Sequence, residues 1–439
     1  MGSIVSSAGV AGTWAEALEA LGLGKYANKS AVAGQGLSHA PLSRPEWSRG
    51  SGVGLWDLKR WLWRNSTLKG LSKCDRVRWS PFVQVWLTSE GVAFLGVSRC
   101  SSVWACPSCA QRIRRSRSRE LGAGLRQWVS DGHGVVFATL TVPHSAVMPL
   151  KPLFAAVTSA WNSVVTDFGV RALRKRLPFR YVRSLEVTSG DNGWHPHLHN
   201  ALLFDRPLSR DEVLELDAEC FRAWSSAVVR LGLAPPSRSY GVRMVRVGKL
   251  DGAENVGRYV AKIEGLSAEL VRLDSKESRK GHAPFQLLRE VAGGNSDLVP
   301  KWYEYENASR GRRALSWSQG CREALALGVE ASDEELSDPA ASSSSVLLGQ
   351  LSSREHDWLI AHPRGPEHFC EALGPASGPE DVRAAVAWLW DSLPASALAE
   401  SHPDRPYLEG REREREAQLM ADAESLVRGF QAGFFDEEF

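Results

Sequence analysis

Three histidines stand at alternate positions in His195-Pro196-His197-Leu198-His199. On a β-strand, alternate side chains share a face, so all three imidazoles can point one way while Leu198 points to the other, apolar side. Imidazole is a favoured metal ligand, and two on one strand can chelate a single ion. Just upstream, Ser189-Gly190-Asp191-Asn192-Gly193 is a strong turn signal between two strand-like runs, Arg180–Thr188 and Trp194–Phe204. A hairpin loop with an even residue count sets Glu186 opposite His197 or His199 on the same face; an odd count turns it away. The even case makes a His–His–carboxylate site with open positions, and His195 is a possible further ligand. Such a site suits Mg²⁺ or Mn²⁺ contacting a phosphate oxygen.

Two further sets of residues carry chemistry. Glu254-Asn255-Val256-Gly257-Arg258-Tyr259-Val260-Ala261-Lys262 reads as a short helix, with Tyr259 and Lys262 on one face. A tyrosine can attack a phosphodiester, and a lysine beside it can stabilise charge on the transferring phosphate. Cys106-Pro107-Ser108-Cys109 is a CxxC pair, preceded by Cys100 and Cys74. Four thiolates could bind one structural Zn²⁺ tetrahedrally. A redox CxxC is the alternative, but the βαβ context it needs is absent. Six arginines then fall between Arg112 and Arg126 against one acid, Glu120. Arg112, Arg114, Arg115, Arg117 and Arg119 form the densest part, on a helix over Arg112–Val129 suited to phosphate contacts. Arg171–Arg183 adds six basic residues and no acid, among them Arg174, Lys175 and Arg176.

The elements that must position these groups can be read in order. Leu55–Lys69 has helical spacing and carries Trp56, Trp61 and Trp63, which at that spacing belong to a core. From Gly134 the order is strand (Gly134–Val142), helix (Leu153–Val165), the hairpin, helix (Arg210–Leu231), strand (Tyr240–Val247) and helix (Glu254–Ile263). That order predicts an α+β fold, an antiparallel sheet with helices on one side. A Cys-rich zinc-binding segment precedes the sheet and an acidic helical tail follows it. The expected division is a flexible arm at 1–50, a zinc-binding and basic DNA-binding segment at 51–130, a nuclease domain at 131–330, and an acidic, mostly helical region at 331–439. Ser342–Ser345 reads as a linker, and Glu380–Leu393 and Glu409–Phe430 as helices.

Composition agrees with a nucleic-acid partner. The 439 residues are 43% hydrophobic and 24% charged, and the formal net charge is only +2. From Glu330 onward, however, 23 acids face 8 arginines and no lysine, a net −15 that leaves the rest of the chain at +17. A basic body fits a polyanion, and an acidic tail fits an interaction arm or a competitor for the DNA site. The chain has no run of 18 apolar residues and no secretory signal pattern, so the reading is cytoplasmic with no membrane partner.

The sequence resembles the plasmid rolling-circle replication initiators of the HUH endonuclease superfamily, especially the actinobacterial type. Phe137-Ala138-Thr139-Leu140-Thr141 looks like the first family motif, a strand near the active site. Trp194 to His199 looks like the second, with His197-Leu198-His199 as the His-hydrophobe-His unit. Tyr259-Val260-Ala261-Lys262 looks like the third, with Tyr259 as nucleophile. The resemblance covers about residues 55–330. It implies an enzyme that nicks one strand of plasmid origin DNA and holds it as a 5′-phosphotyrosine, with Mg²⁺ or Mn²⁺ at the site and Zn²⁺ at the cysteines. Some members carry a glutamate four residues before the nucleophile; here that position is Asn255, and Glu254 lies about 140° around the helix from Tyr259. An HUH transposase or mobilisation relaxase shares the chemistry, and a non-catalytic zinc-dependent DNA-binding regulator shares the basic surface. Gln431-Ala432-Gly433-Phe434-Phe435-Asp436-Glu437-Glu438-Phe439 resembles short peptides that dock on the sliding clamp, which implies host replication partners (clamp, helicase) at the tail.

Overall fold

A computed structural model describes residues 53–88, 91–247, 281–341, 345–362, 364–374 and 377–392, with a few helical positions between 409 and 421. Tyr259, Lys262 and the helix expected over Glu254–Ile263 lie outside the described residues. So do the 1–50 arm, Ser342–Ser344, most of Glu409–Phe430 and Gln431–Phe439. No described helix is long and apolar enough to cross a membrane.

The chain runs through α1 (Leu55–Asn65), α2 (Lys69–Lys73), the strands β1 (Phe82–Thr88) and β2 (Gly91–Leu95), and the long helix α3 (Pro107–Ser130). Next come β3 (Gly134–Thr141), α4 (Leu150–Thr166), α5 (Phe168–Arg176), β4 (Arg180–Gly190), β5 (Gly193–Phe204) and α6 (Arg210–Arg230). Then follow β6 (Val242–Val247), β7 (Gly281–His282), α7 (Pro284–Ala292), α8 (Val299–Ser309), β8 (Leu315–Trp317), α9 (Cys321–Ala324) and α10 (Asp333–Ser337). The last described elements are β9 (Val346–Ser352), α11 (Ser353–Ala361), α12 (Gly365–Ala372) and α13 (Pro379–Ser392).

These elements form two units, one of Arg44–Cys74 and Ser98–Ala341, the other of Met1–Ser43, Asp75–Val97 and Ser342–Phe439. The first holds a sheet ordered β6-β3-β5-β4-β7, with β8 also pairing β4, and every pair is antiparallel. Alternation sorts its side chains. Val136, Ala138, Leu140, Leu185, Leu198 and Leu202 face one way and join the main core. They are covered by α4, whose Leu150, Leu153, Phe154, Val157, Trp161 and Val164 form a buried stripe at helical spacing, and by Leu216, Cys220 and Trp224 of α6. Each such Leu or Phe, fully buried, contributes about 1.5–3 kcal/mol. α6 begins as its sequence suggests, with Ser209 and Glu212 capping each other's backbone N–H.

The opposite face is covered over half its length only. Leu121, Leu125, Trp128 and Val129 of α3 pack there on Val135, Phe137, Val182, Ala201, Leu203 and Val247. Sequence reading places helices on one side of the sheet; in the structure they lie on both. The physical reason is in α3 itself: its first half is arginine-rich, but its second half carries an apolar stripe that must be buried. The apolar stripe of α3 does not reach the other half of this face, and the histidines stand there.

In the second unit, β1 and β2 form a hairpin, and β9 pairs antiparallel with β1 across an irregularity at Val85/Trp86. Trp358 and Leu359 of α11, Phe369 of α12 and Val382 of α13 are buried. The first described element after Ser342 is therefore a strand, and it pairs with a segment far upstream, between Cys74 and Cys100.

Candidate active site and cysteine centre

The β4–β5 hairpin closes through two residues, Asp191 and Asn192, with Gly190 paired to Gly193. Gly193 has φ +86°, and a Cβ there would lie 2.8 Å from the Cα of Ala146. Only glycine allows the loop after β3 to pass so close to the hairpin tip. The even loop sets Glu186 directly opposite His197, with Thr188 opposite His195 and Ser184 opposite His199. On the other flank, β3 sets Thr139 against His199 and Thr141 against His197. All these side chains share the open face. Pro196 lies just beyond the last β3–β5 pair, where a missing N–H is tolerated.

Glu186, His197 and His199 converge. Glu186 Oε2 is 3.1 Å from His197 Nε2 and 3.4 Å from His199 Nε2. Ligands at right angles on a small divalent ion would be about 3 Å apart. Nδ1 of His197 lies 3.2 Å from the His195 carbonyl, which can only accept, so Nδ1 carries a proton and Nε2 is the free donor atom. That Nε2 faces a second acceptor, the Glu186 carboxylate, and the contact calls for a positive charge between them. His199 is set by Thr139 Oγ1, 3.2 Å from its Nδ1, and by stacking on Phe137 at 5.3 Å. Burial pushes the Glu186 carboxyl up, but the His197 and His199 imidazoles beside it outweigh burial and hold it down at about 2. Its second oxygen, Oε1, is buried with no hydrogen-bond partner among the described residues. An ionised, half-orphaned carboxylate between two imidazoles fits a divalent cation.

His195 is on the same face but outside this triplet. Its ring sits 4.7 Å from His144, with the two Nδ1 atoms 3.4 Å apart. Burial, with His197 and His144 nearby, pulls His195 down to about 4. His144, from the loop after β3, thus borders the site.

The four cysteines also converge. Cys74 Sγ is 3.6 Å from those of Cys106 and Cys109, and Cys100 is 3.9 Å from Cys109. A tetrahedral Zn–thiolate centre with bonds of about 2.3 Å has sulfurs about 3.8 Å apart, so the set fits one ion. Cys74, Cys106 and Cys109 are buried and Cys100 is half-buried. Burial pushes the Cys106 thiol up, yet its cysteine neighbours and the Lys59 ammonium hold it well below its ordinary value. Trp63 Nε1 donates to the Cys74 carbonyl at 2.8 Å and ties α1 to the cluster.

The basic residues divide. Arg114 is buried, donates to the Val103 carbonyl at 2.6 Å and lies over the Phe285 ring. Arg117 pairs with Glu330 at 2.7 Å and Asp333 at 2.8 Å. Both guanidiniums are spent inside the unit, unlike the phosphate contacts expected of them, because α3 is packed on two sides. Arg115 and Arg119 are exposed, and Arg112 is half-buried with Nε and Nη1 unsatisfied. On α5, Arg174 donates to the Phe179 carbonyl at 3.0 Å, Arg176 pairs with Glu215, and Lys175 is exposed. Sequence reasoning gives Lys59 no role at the cysteines and does not name Arg243. Arg243 is exposed on β6 opposite Thr139, so it shares the open face with His199. The Thr-x-Thr alternation of β3 is the one local signal for this row.

Residues 95–217 match the family described as replication protein, a span that holds three of the cysteines, β3 and the whole hairpin. Among curated proteins, "Protein rep" of Streptomyces lividans is 28% identical over 306 residues, covering 56% of this chain and 67% of that protein. A "Neomycin resistance protein" of Streptomyces cyanogenus is 26% identical over 143 residues, covering 26% of this chain and 33% of that one. No solved structure matches. The family match and the Streptomyces relative agree: residues 95–217 are similar to a replication-protein family, and the similarity to "Protein rep" extends over 56% of this chain.

Proposed function

We propose that this replication initiator nicks one strand of plasmid origin DNA and starts rolling-circle copying from the nick. The carrying observation is the Glu186–His197–His199 triplet, whose ligand atoms converge on one sheet face. Tyr259 Oη attacks the scissile phosphorus, the P–O3′ bond breaks, and the 3′-oxygen takes up a proton. The products are a free 3′-hydroxyl for a polymerase and a 5′-phosphotyrosine on the protein. Tyr259 belongs to the 248–280 stretch, whose described neighbours Val247 and Gly281 stand at opposite edges of this sheet. His197, His199 and Glu186 would hold Mg²⁺ or Mn²⁺, which when bound polarises the phosphate. Lys262 stabilises charge on the phosphate. Arg243, across Thr139 from His199, takes a neighbouring phosphate of the same strand. Cys74, Cys100, Cys106 and Cys109 hold a structural Zn²⁺ that anchors the start of α3. Gln431–Phe439 offers a dock for host replication proteins such as the sliding clamp or a helicase.

The test is incubation with labelled single strands of the origin and Mg²⁺ or Mn²⁺, followed by a denaturing gel. A protein-linked strand and a free 3′-hydroxyl fragment are expected. DNA binding with no covalent product would favour a non-catalytic regulator. Covalent joining without any dependence of plasmid copying on the gene would favour a transposase or relaxase.

A further inference from the structure

We propose that Lys59 is the resident counter-charge of the four-cysteine metal centre, and that its ammonium keeps the metal in place. The proposal rests on the zinc reading of that centre and adds the residue that makes it stable where it is. Lys59 lies on α1, in a tryptophan-rich helix whose other basic residues, Arg60 and Arg64, are half-buried and exposed. Its own side chain is 1% exposed. Lysine is almost never fully buried without a group that offsets its charge. Here Nζ lies 3.4 Å from Cys106 Sγ and 3.3 Å from Ser108 Oγ, and that hydroxyl is itself 3.4 Å from the same sulfur. The ammonium and the hydroxyl therefore converge on one thiolate.

Charge explains the arrangement. Four thiolates on one Zn²⁺ carry about two net negative charges, and this set is largely sealed from water. An anion so placed is costly unless cations or dipoles face it. The structure supplies both. The 24-residue α3 begins at its N-cap Cys106 with Pro107 at the first position, so its positive end meets Cys106 and Cys109. Lys59 adds a full charge 3.4 Å from the Cys106 sulfur. N–H···S contacts draw electron density from the sulfur, which lowers its reactivity toward oxidants and alkylators and slows loss of the metal. The contact also links α1 to α3 through the centre, in parallel with the Trp63–Cys74 bond.

Lys59→Met keeps the length and removes the charge, while Lys59→Arg keeps the charge. Full-length wild type and both variants would be loaded with zinc and transferred to an excess of a chromogenic chelator under native conditions. Iodoacetamide labelling of each cysteine would be followed by mass spectrometry in parallel. Removal of an outer-shell partner commonly weakens metal binding by about 10–100-fold. Lys59→Met is expected to release zinc at least about tenfold faster than wild type and to expose Cys106 first to alkylation. Lys59→Arg is expected to stay within a few fold of wild type. Unchanged release and labelling in a folded Lys59→Met protein would overturn the proposal. So would equal loss in both variants, which would make the position one of shape and not of charge. If Lys59→Met fails to fold, Ser108→Ala, which removes the hydroxyl bridging ammonium and sulfur, must show faster release and Lys59→Arg must not. Wild-type protein purified without any zinc would refute the metal reading itself, a result separable from the variant comparison by elemental analysis.

Discussion

The two ligand clusters of the larger unit solve opposite problems. The cysteine set is closed: four sulfurs surround one point, three of them are buried, and a buried ammonium faces them. The Glu186–His197–His199 set is open in its ligand shell: three ligands come from two strands of one sheet face, beyond the half that the apolar stripe of α3 covers. A closed tetrahedral set holds a metal for structure, and a set with vacant positions holds one for chemistry. The difference follows from the supporting elements. A flat hairpin can present ligands from one side only, whereas a loop, a short helix and a helix N-terminus can surround a point.

The sharpest break between the two clusters is in the proposed nucleophile, which only one of them would serve. Tyr259→Phe is expected to abolish the covalent DNA adduct and leave DNA binding unchanged, because only a hydroxyl is lost. A denaturing gel against a binding titration reads both. An adduct at wild-type level would remove Tyr259 from the mechanism and leave the open site without its nucleophile.

Next comes the response to metal loss. His197→Ala or Glu186→Ala is expected to lower nicking by more than about a hundredfold, beyond the range of outer-shell changes, with the melting temperature little altered. Mild EDTA should do the same, reversibly. Cys106→Ser or Cys109→Ser should do the reverse: a loss of about 4 kcal/mol or more of stability, as when a structural metal is lost, with nicking falling through unfolding. Calorimetry and single-turnover nicking on the same samples would decide. If EDTA lowers the melting temperature as much as the cysteine variants do, the open/closed distinction fails.

Much of this site is legible in the chain. The His-x-His-x-His alternation sets the shared face, and two residues between Gly190 and Gly193 settle the register that brings Glu186 to His197. What is not legible depends on contacts distant in sequence. A run of arginines does not reveal which of them meet Val103, Glu330 or Asp333, so Arg114 and Arg117 read as phosphate ligands although they are structural. Lys59 shows no tie to the cysteines in the sequence, because its sulfur partner lies 47 residues on. The pairing of β1 with β9 leaves no local trace, since each strand alone looks like a short apolar run. The helices α7 and α8 carry a similar lesson: Glu304 of α8 accepts from Trp194 Nε1 at 2.8 Å and from the Leu150 N–H at 2.6 Å, bracing the hairpin from behind.

A smaller effect tests whether the open site is as preorganised as the closed one. Thr139→Val removes the hydroxyl beside His199 Nδ1 and keeps the shape of the β3 side chain. The ring loses that contact and keeps its stack on Phe137 and its edge contact with His197. Metal affinity and nicking should fall by about tenfold, the low end for an outer-shell partner. Unchanged metal affinity by titration calorimetry would mean that the stack alone orients the ring.

The mildest change concerns the row that runs across the sheet from Ser184 through His199 and Thr139 to Arg243. Neighbouring strands are about 4.8 Å apart, which puts Arg243 about 10 Å from His199 along the face. A strand whose scissile phosphate sits at the histidines can therefore place a nearby phosphate at this guanidinium. Arg243→Ala should weaken binding of origin single strands about equally for all base sequences and reduce the salt slope of log K by about 1, while nicking at saturating DNA stays unchanged. A single neutral methylphosphonate walked along the strand should erase the difference between variant and wild type at one position only. If no position does so, Arg243 contributes to the general field of the basic body and not to the path of the strand over the open site. In that case the contrast between the two clusters narrows to their metals, because the open face would then carry ligands for an ion without any fixed contact for the DNA beside it.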